Sequence, residues 1–518
     1  MAQTHTMTSG LLQRKLHAAD VAWGKRDSEG CLEALDLARR VAPADADVML
    51  KLGQAQALSY DYAAAESSFE QALQLSPQKT RMLVTIAHLC RDFQNPALAE
   101  RYLGRALAAL EPTKVWPPTG LELAKLYERL HRLTEATALV DRVLATAPAY
   151  PAALLMRARL ERQAGRLEAA EQVLRSFINK PVPLLWTHVQ AWYELGTVLD
   201  RQEKYDEAMM SFLKAKALLQ PQARGFLATL QQARDFLRVM EKNVSAGMLQ
   251  RWCQNGAALP PPRRLALLCG HARSGTTLLE QVLDSHPEII AVEESPVFLN
   301  DAYLPLRRNL APDAQMLPLL EAAGNPSLQQ SRAAYFRSME KITGGPVAGR
   351  LLLDKNPVVT YLIPAFVRLF PETKFIIALR DPRDVVLSCF MQPHPLNEVT
   401  AAYLSLDGTV EDYSALMSIW RTLAPMMPAP CLEVRYEDMV ADLKSVARQT
   451  LEFLGLPFDE RVLKFDEHAR KKMIRSPSYA DVTRPVYQHA RGRWRNYQKY
   501  LAPHLARLEP LVKAFGYE

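Results

Sequence analysis

The sequence predicts an α plus α/β chain: a helical-repeat solenoid first, then a parallel β-sheet flanked by helices. Two observations carry this. From about residue 46 to 221 small and large apolar residues recur with the period of a helix pair, and beyond Pro262 short apolar runs of strand type alternate with helix-length segments. The 518 residues, 48% of them hydrophobic, exceed what one compact core takes in. The expected divisions are 1–222 for the helical repeats, 223–262 for a helical linker and 263–518 for the α/β domain.

In the first half, Leu52-Gly53…Ala65…Phe69…Ala72…Pro77 sets small residues where paired helices approach closely, a Phe between pairs and a Pro where the second helix stops. The spacing returns as Leu123-Ala124…Ala136…Val140…Val143…Pro148 and as Trp192…Leu195-Gly196…Ala208…Phe212…Ala215. Ile86-Ala87…Ala99…Leu103…Ala106 and Ala158…Ala170…Leu174 are weaker copies, and one ending at Pro43 is degenerate. The period of about 34 residues is that of the tetratricopeptide (TPR) helix pair. Most of these residues are core, so only the concave surface between helices is free to bind, and the array reads as a binding or assembly scaffold.

Helical patterns continue through about 224–254, and the stretch NGAALPPPRR at 255–264 then forbids helix. Strand-type runs follow at 265–269, 288–292, 350–354, 374–379 and 431–436, separated by helix-length segments, as a parallel sheet requires. Ligand sites in such folds lie at the carboxyl ends of strands.

Composition bounds the function. A net charge of +7 is modest for this length and fits a basic patch around an anionic ligand as well as nucleic-acid binding. The six cysteines (Cys31, Cys90, Cys253, Cys269, Cys389, Cys431) contain no C-x-x-C pair, so neither a disulfide framework nor a zinc site is expected, and they read as buried thiols. No apolar run approaches the roughly 18 residues of a membrane span. The expectation is a cytoplasmic protein without membrane or nucleic-acid partners.

The first strand runs into GHARSGTTLLEQVLDSHPE, an anion cradle at a helix start. Gly270 and Gly275 permit close backbone approach, and Ser274, Thr276 and Thr277 add hydroxyls to the freed N–H groups. It is P-loop-like but lacks the ATP-type lysine: Thr276 stands in that place and the cation is Arg273. After the strand at 374–379, Arg380 and Ser388 lie two helical turns apart, so that a guanidinium and a hydroxyl can converge on one phosphate. Asp381 and Arg383 between them read as a cap or ion pair.

The core RSGTT at 273–277 and the segment ALRDPRDVVLS at 378–388 resemble the 5′-phosphosulfate and 3′-phosphate motifs of sulfotransferases that use 3′-phosphoadenosine 5′-phosphosulfate (PAPS). From Leu265 to about Tyr497 the pattern is most similar to the tyrosylprotein sulfotransferase branch and to bacterial proteins joining TPR repeats to it. The resemblance implies a PAPS-dependent sulfotransferase that releases PAP and uses no metal. It assigns the 5′ end of the donor to the loop and the 3′-phosphate to Arg380 and Ser388.

Further roles follow from the same resemblance. The strand at 288–292 leads to Glu293-Glu294, where like charges and desolvation favour a base; strand alternation lets only one of them face inward. Glu294 matches the family's catalytic base, leaving Glu293 as a structural or acceptor-orienting acid. Lys355 in LLDKNP matches the cation that stabilises the leaving oxygen, with Asn356 holding the turn. Ser478 matches a residue near the transferring sulfate, and Arg493 replaces the family's Lys at the 3′-phosphate. Tyr436 resembles an adenine-side contact, though a strand-end aromatic can equally be core.

The segment 475–497 has neither helical nor strand periodicity and reads as a loop over a site. Between 461 and 500 eleven Lys or Arg face three acids, a solvated face or an anion patch. His271 could contact acceptor or nucleotide, or pack as an ordinary loop residue, and no spacing suggests a metal site. The expected acceptor is a hydroxyl: a protein or peptide tyrosine held by the TPR array, a small phenol or a carbohydrate. Two rivals stand beside this reading, a P-loop kinase-like phosphotransferase and a TPR scaffold with an inactive transferase domain.

Overall fold

The computed structural model describes residues 2–517 except 25–26, 94, 110–116, 181–183, 257–258, 260–262, 308–314, 348, 471, 473, 475, 477–478, 480, 485 and 487–489. Its contacts divide the chain into two compact units, Met1–Ala153 and Leu154–Glu518.

The first unit holds helices α1 (Ala2–Gly24), α2 (Ser28–Val41), α3 (Ala46–Leu58), α4 (Tyr62–Leu75), α5 (Lys79–Asp92), α6 (Pro96–Ala108), α7 (Pro117–Arg129) and α8 (Leu133–Thr146). They pair as the repeat pattern requires, α3 with α4, α5 with α6 and α7 with α8. Phe69 lies where a Cβ on Gly53 would sit, 2.6 Å from its ring, so the small residue of one helix makes room for the aromatic of the next. Tyr60 and His131 close the turns inside two of these pairs with φ of 62° and 59°. The amides of Asp61 and Arg132 then reach back to the carbonyls of Gln56 and Tyr127 at 2.9 and 2.8 Å, satisfying orphan helix carbonyls.

The second unit opens within α9 (Pro151–Gln163) and continues with α10 (Leu167–Phe177), α11 (Leu185–Arg201), α12 (Tyr205–Asn243) and α13 (Ala246–Asn255). The same devices recur, with a turn at Glu203 (φ 62°) and Phe212 against Gly196. Helix α12 runs on through Pro221 and across the 222/223 division drawn from the sequence. Most of the proline stretch expected as a linker lies outside the described residues.

Beyond it five strands, β1 (Leu265–Gly270), β2 (Ile289–Glu293), β3 (Leu351–Lys355), β4 (Lys374–Leu379) and β5 (Leu432–Arg435), form one parallel sheet in the order β2-β3-β1-β4-β5. Every residue of β1 and β3 is buried, which is why these strands read as unbroken apolar runs. The helices that follow are α14 (Thr276–Asp284), α15 (Met316–Ala322), α16 (Asn325–Ile342), α17 (Ile363–Leu369), α18 (Pro382–Phe390), α19 (Leu406–Leu423), α20 (Tyr436–Ala441) and α21 (Leu443–Leu454). Leu279, Val282 and Leu283 of α14 share a core with Leu268, Ile376, Met439 and Leu451. Because the chain leaves β1 for the edge strand β2 and later returns to β4 on the other side, the topological switch point lies between the carboxyl ends of β1 and β4.

Cys31, Cys90, Cys269 and Cys389 are buried thiols, but Cys253 and Cys431 are partly exposed, contrary to the expectation for all six. Among the described residues no helix is long and apolar enough to cross a membrane.

Candidate active site

The loop after β1 is shaped by its glycines. Gly270 and Gly275 have φ of 137° and 91°, and a Cβ would meet Ala378 O at 2.4 Å on the first and Tyr436 Cδ2 at 2.8 Å on the second. Thr360 closes the start of the loop, accepting from Gly270 N at 2.9 Å and donating to Gly270 O. Arg273 adopts φ 71°, a strained conformation for a side chain of this size, and Gly275 caps α14 without a side-chain bond. Ser274, Thr276 and Thr277 are buried around the loop.

The second motif meets the first here. Arg273 Nε donates to Ser388 Oγ at 3.0 Å, and Arg380 Nη1 donates to Arg273 O at 3.2 Å. Arg380 Nη2 reaches Ala490 O at 2.6 Å, its Cζ lies 4.8 Å from the centre of the Tyr436 ring, and its buried Nε has no partner among the described residues. Asp381 caps α18 by accepting from Arg383 N at 2.9 Å and pairs with the Arg383 guanidinium, so both expected structural roles are present. Tyr436 does not end a strand; it starts α20, packed in the core beneath Arg380 and against Gly275.

At the ends of β2 and β3 stands a buried charge cluster. Lys355 is 0% exposed, and its Nζ lies 2.8 Å from Glu294 Oε1, 3.2 Å from Glu293 Oε1 and 3.3 Å from Glu280 Oε2. Alternation fails here: both adjacent acids reach the same ammonium, because Glu294 lies past the strand with φ 47° while its amide still donates to Lys355 O at 2.7 Å. Asn356 holds the turn as expected, with its Nδ2 on Ser295 O at 3.1 Å and its Oδ1 on Val358 N. Burial opposes the charge of Lys355, but the three carboxylates outweigh it and raise its pKa. Glu280 goes the other way: burial pushes it up to about 8, Glu293 and Asp284 add to this, and Lys355 only partly offsets it.

Glu280 escaped the sequence reading. Its signal was an acid on α14 one turn beyond Thr276, on the stretch of the helix that is buried throughout. Asp384 escaped too. Buried on α18, it accepts from Gly492 N at 2.7 Å and Trp494 N at 2.8 Å and so fastens the C-terminal segment beside Ser388.

The described parts of 475–497 touch both halves of the site, Ser476 N donating to Glu293 Oε1 at 3.1 Å and Ala490 O accepting from Arg380. Ser478 lies outside the described residues. The Arg493 side chain turns away to Asp200 of α11, 2.7 Å between Nη2 and Oδ2, and Tyr497 donates to the same carboxylate at 2.7 Å. His271 is 2% exposed, with its Nε2 3.7 Å from Asp412 and its ring 5.0 Å from that of Tyr413. Burial lowers its basicity, yet Asp412 and Cys389 outweigh this and raise it to about 10. Among the described residues no group of acids, histidines or cysteines is arranged to hold a metal.

Residues 266–460 match the Sulfotransferase family, and residues 16–80, 121–182 and 189–218 match tetratricopeptide repeats. An uncharacterized protein of Aquifex aeolicus (strain VF5) is 25% identical over 394 residues, covering 74% of this chain and 49% of its own, so the chain spans about half of that relative. Protein-tyrosine sulfotransferase A of Caenorhabditis elegans is 26% identical over 48% of this chain and 66% of its own length. Protein-tyrosine sulfotransferase 2 of Gallus gallus is 27% identical over 49% and 69%. Among solved structures, the sulfotransferase domain of the Synechococcus PCC 7002 olefin synthase is 21% identical over 50% of this chain and 96% of its own, with a TM-score of 0.37. The chain therefore joins a helical tetratricopeptide-repeat region to a sulfotransferase-family domain built on a parallel five-stranded sheet.

Proposed function

We propose that the protein transfers a sulfuryl group from PAPS to an acceptor hydroxyl. The observation that carries this is the junction of the two anion motifs: Arg273 of the loop bonds Ser388 and Arg380 of the second motif, so one ligand with anions at both ends fits across β1 and β4. The lysine-free loop and its hydroxyls take the 5′-phosphosulfate, and Arg380, whose Nε has no partner among the described residues, and Ser388 take the 3′-phosphate. Gly270, Ser274, Gly275, Thr276 and Thr277 line the cradle, Tyr436 lies on the adenine side, and the family resemblance assigns Ser478 to the sulfate. Arg493, drawn to Asp200, serves the donor site through the segment that Asp384 fastens beside it.

In the reaction the acceptor oxygen attacks sulfur in line, a new O–S bond forms, the bond from sulfur to the bridging oxygen breaks, and PAP leaves. Glu294 takes the hydroxyl proton. Lys355 holds that carboxylate in place, and with Arg273 it supplies positive charge toward the departing oxygen. The relatives' names favour a tyrosine acceptor in a protein or peptide, and the repeats offer a surface to hold one. Calorimetry tests the reading: PAP should bind at least about tenfold more tightly than adenosine 5′-phosphate or ATP. Equal affinity for nucleotides lacking the ribose 3′-phosphate would falsify it. Labelled PAPS incubated with a cell extract, followed by identification of the labelled product, decides the acceptor.

A further inference from the structure

Lys216 follows Ala215, the last residue of the final repeat pattern, and its side chain is 2% exposed. Its Nζ lies over two ring faces, 5.1 Å from the centre of Tyr193 on α11 and 4.6 Å from that of Phe390 at the end of α18. Among the described residues no carboxylate pairs with it. Burial lowers its pKa to about 7, against a smaller opposing pull from Cys389. A methionine would fill the same space without desolvating an amine, so packing alone does not call for a lysine here.

The neighbourhood is short of negative charge. His394, four residues beyond α18, has a buried Nε2 without a hydrogen-bond partner among the described residues. Burial, then the charges of Lys216 and Arg273, hold its imidazole neutral. All three groups thus share one field. Asp412, beside His271, is engaged by that histidine and by the hydroxyl of Tyr403. Along α18 and its exit, Arg380, the Arg273–Ser388 contact, Lys216 above Phe390, and His394 follow in order. The first two belong to the proposed donor site. The last two are unused by it.

We propose that Lys216 and His394 form an oxyanion subsite beside Arg273, into which a hydroxyl-bearing acceptor places a carboxylate. This rests on the sulfuryl-transfer reading above for the identity of the ligand, and on the geometry of Lys216 and His394 for the subsite. Lys216 supplies the charge, held over the faces of Tyr193 and Phe390, and the buried Nε2 of His394 supplies a second polar contact. The near-complete burial of Lys216 and Tyr193 restricts the occupant to a small group rather than a protein surface. The helical repeats then contribute directly to acceptor choice, through their last helix pair.

The full-length protein with PAP present is titrated calorimetrically with 4-hydroxyphenylacetate and with 4-methylphenol, for the wild type, Lys216→Met and Lys216→Arg. The wild type should bind the carboxylate phenol at least about tenfold more tightly. Lys216→Met should erase that preference, and Lys216→Arg should retain most of it. Thermal melting serves as the folding control, with Lys216→Met expected to melt no lower than the wild type because it removes an uncompensated buried amine. A wild type with no preference for the carboxylate, or a Lys216→Met protein that keeps it, overturns the proposal. PAP affinity read in the same experiment stands apart: its absence sinks the donor reading, while a carboxylate preference lost with Lys216 still supports the subsite.

Discussion

At the scale of single residues the site is a balance of charge in a dry place. Lys355 faces three carboxyl groups, and burial favours the protonated form of one of them, Glu280. Its pKa rises from the ordinary 4.5 to about 8, so folding is favoured by the protonated form, and that stability is lost as pH climbs through about 8. Glu280→Gln should therefore keep the protein folded at pH 7 and flatten the decline in melting temperature between about pH 5 and 8; an unchanged decline would place the titration elsewhere. Glu294→Gln should lower turnover by about 10²–10⁴-fold while PAP binding stays within a factor of about two. Near-normal turnover in that variant would remove Glu294 as the base.

Elements position these residues by backbone geometry that few sequences allow. Gly275→Ala should weaken PAP binding and cost about 1–3 kcal/mol of stability, since it combines φ 91° with a 2.8 Å approach to Tyr436. Urea melts with and without PAP check both effects. The C-terminal segment is fastened at both sides, to Asp384 on α18 and to Asp200 on α11. Asp200→Ala strands the Arg493 guanidinium and the Tyr497 hydroxyl, and should speed proteolytic cleavage between about residues 475 and 497 by several-fold. Equal cleavage rates would show that the contacts to Asp384, Glu293 and Arg380 hold the segment without Asp200.

For the whole molecule, helices α9–α12 share a compact unit with the sheet although their pattern belongs to the repeats. Arg234 on α12 pairs with Glu411 at 2.7 Å, and Thr422 donates to Glu241 at 2.9 Å, besides the Asp200 and Lys216 contacts. A chain starting at residue 154 should remain soluble and gain melting temperature with PAP, whereas one starting at residue 263 should aggregate. PAP-stabilised melting of the shorter chain would contradict this. The repeats, the five strands, the anion loop and the second motif were all legible in the sequence, because apolar period, strand length and glycine placement are local properties. Local pattern could not foresee that Glu293 and Glu294 share one ammonium, that Glu280 joins them, that Arg493 turns to Asp200, or that Lys216 lies buried against Phe390. Each of these depends on residues brought together from distant parts of the chain, and on the loss of water around them, which only the tertiary packing decides.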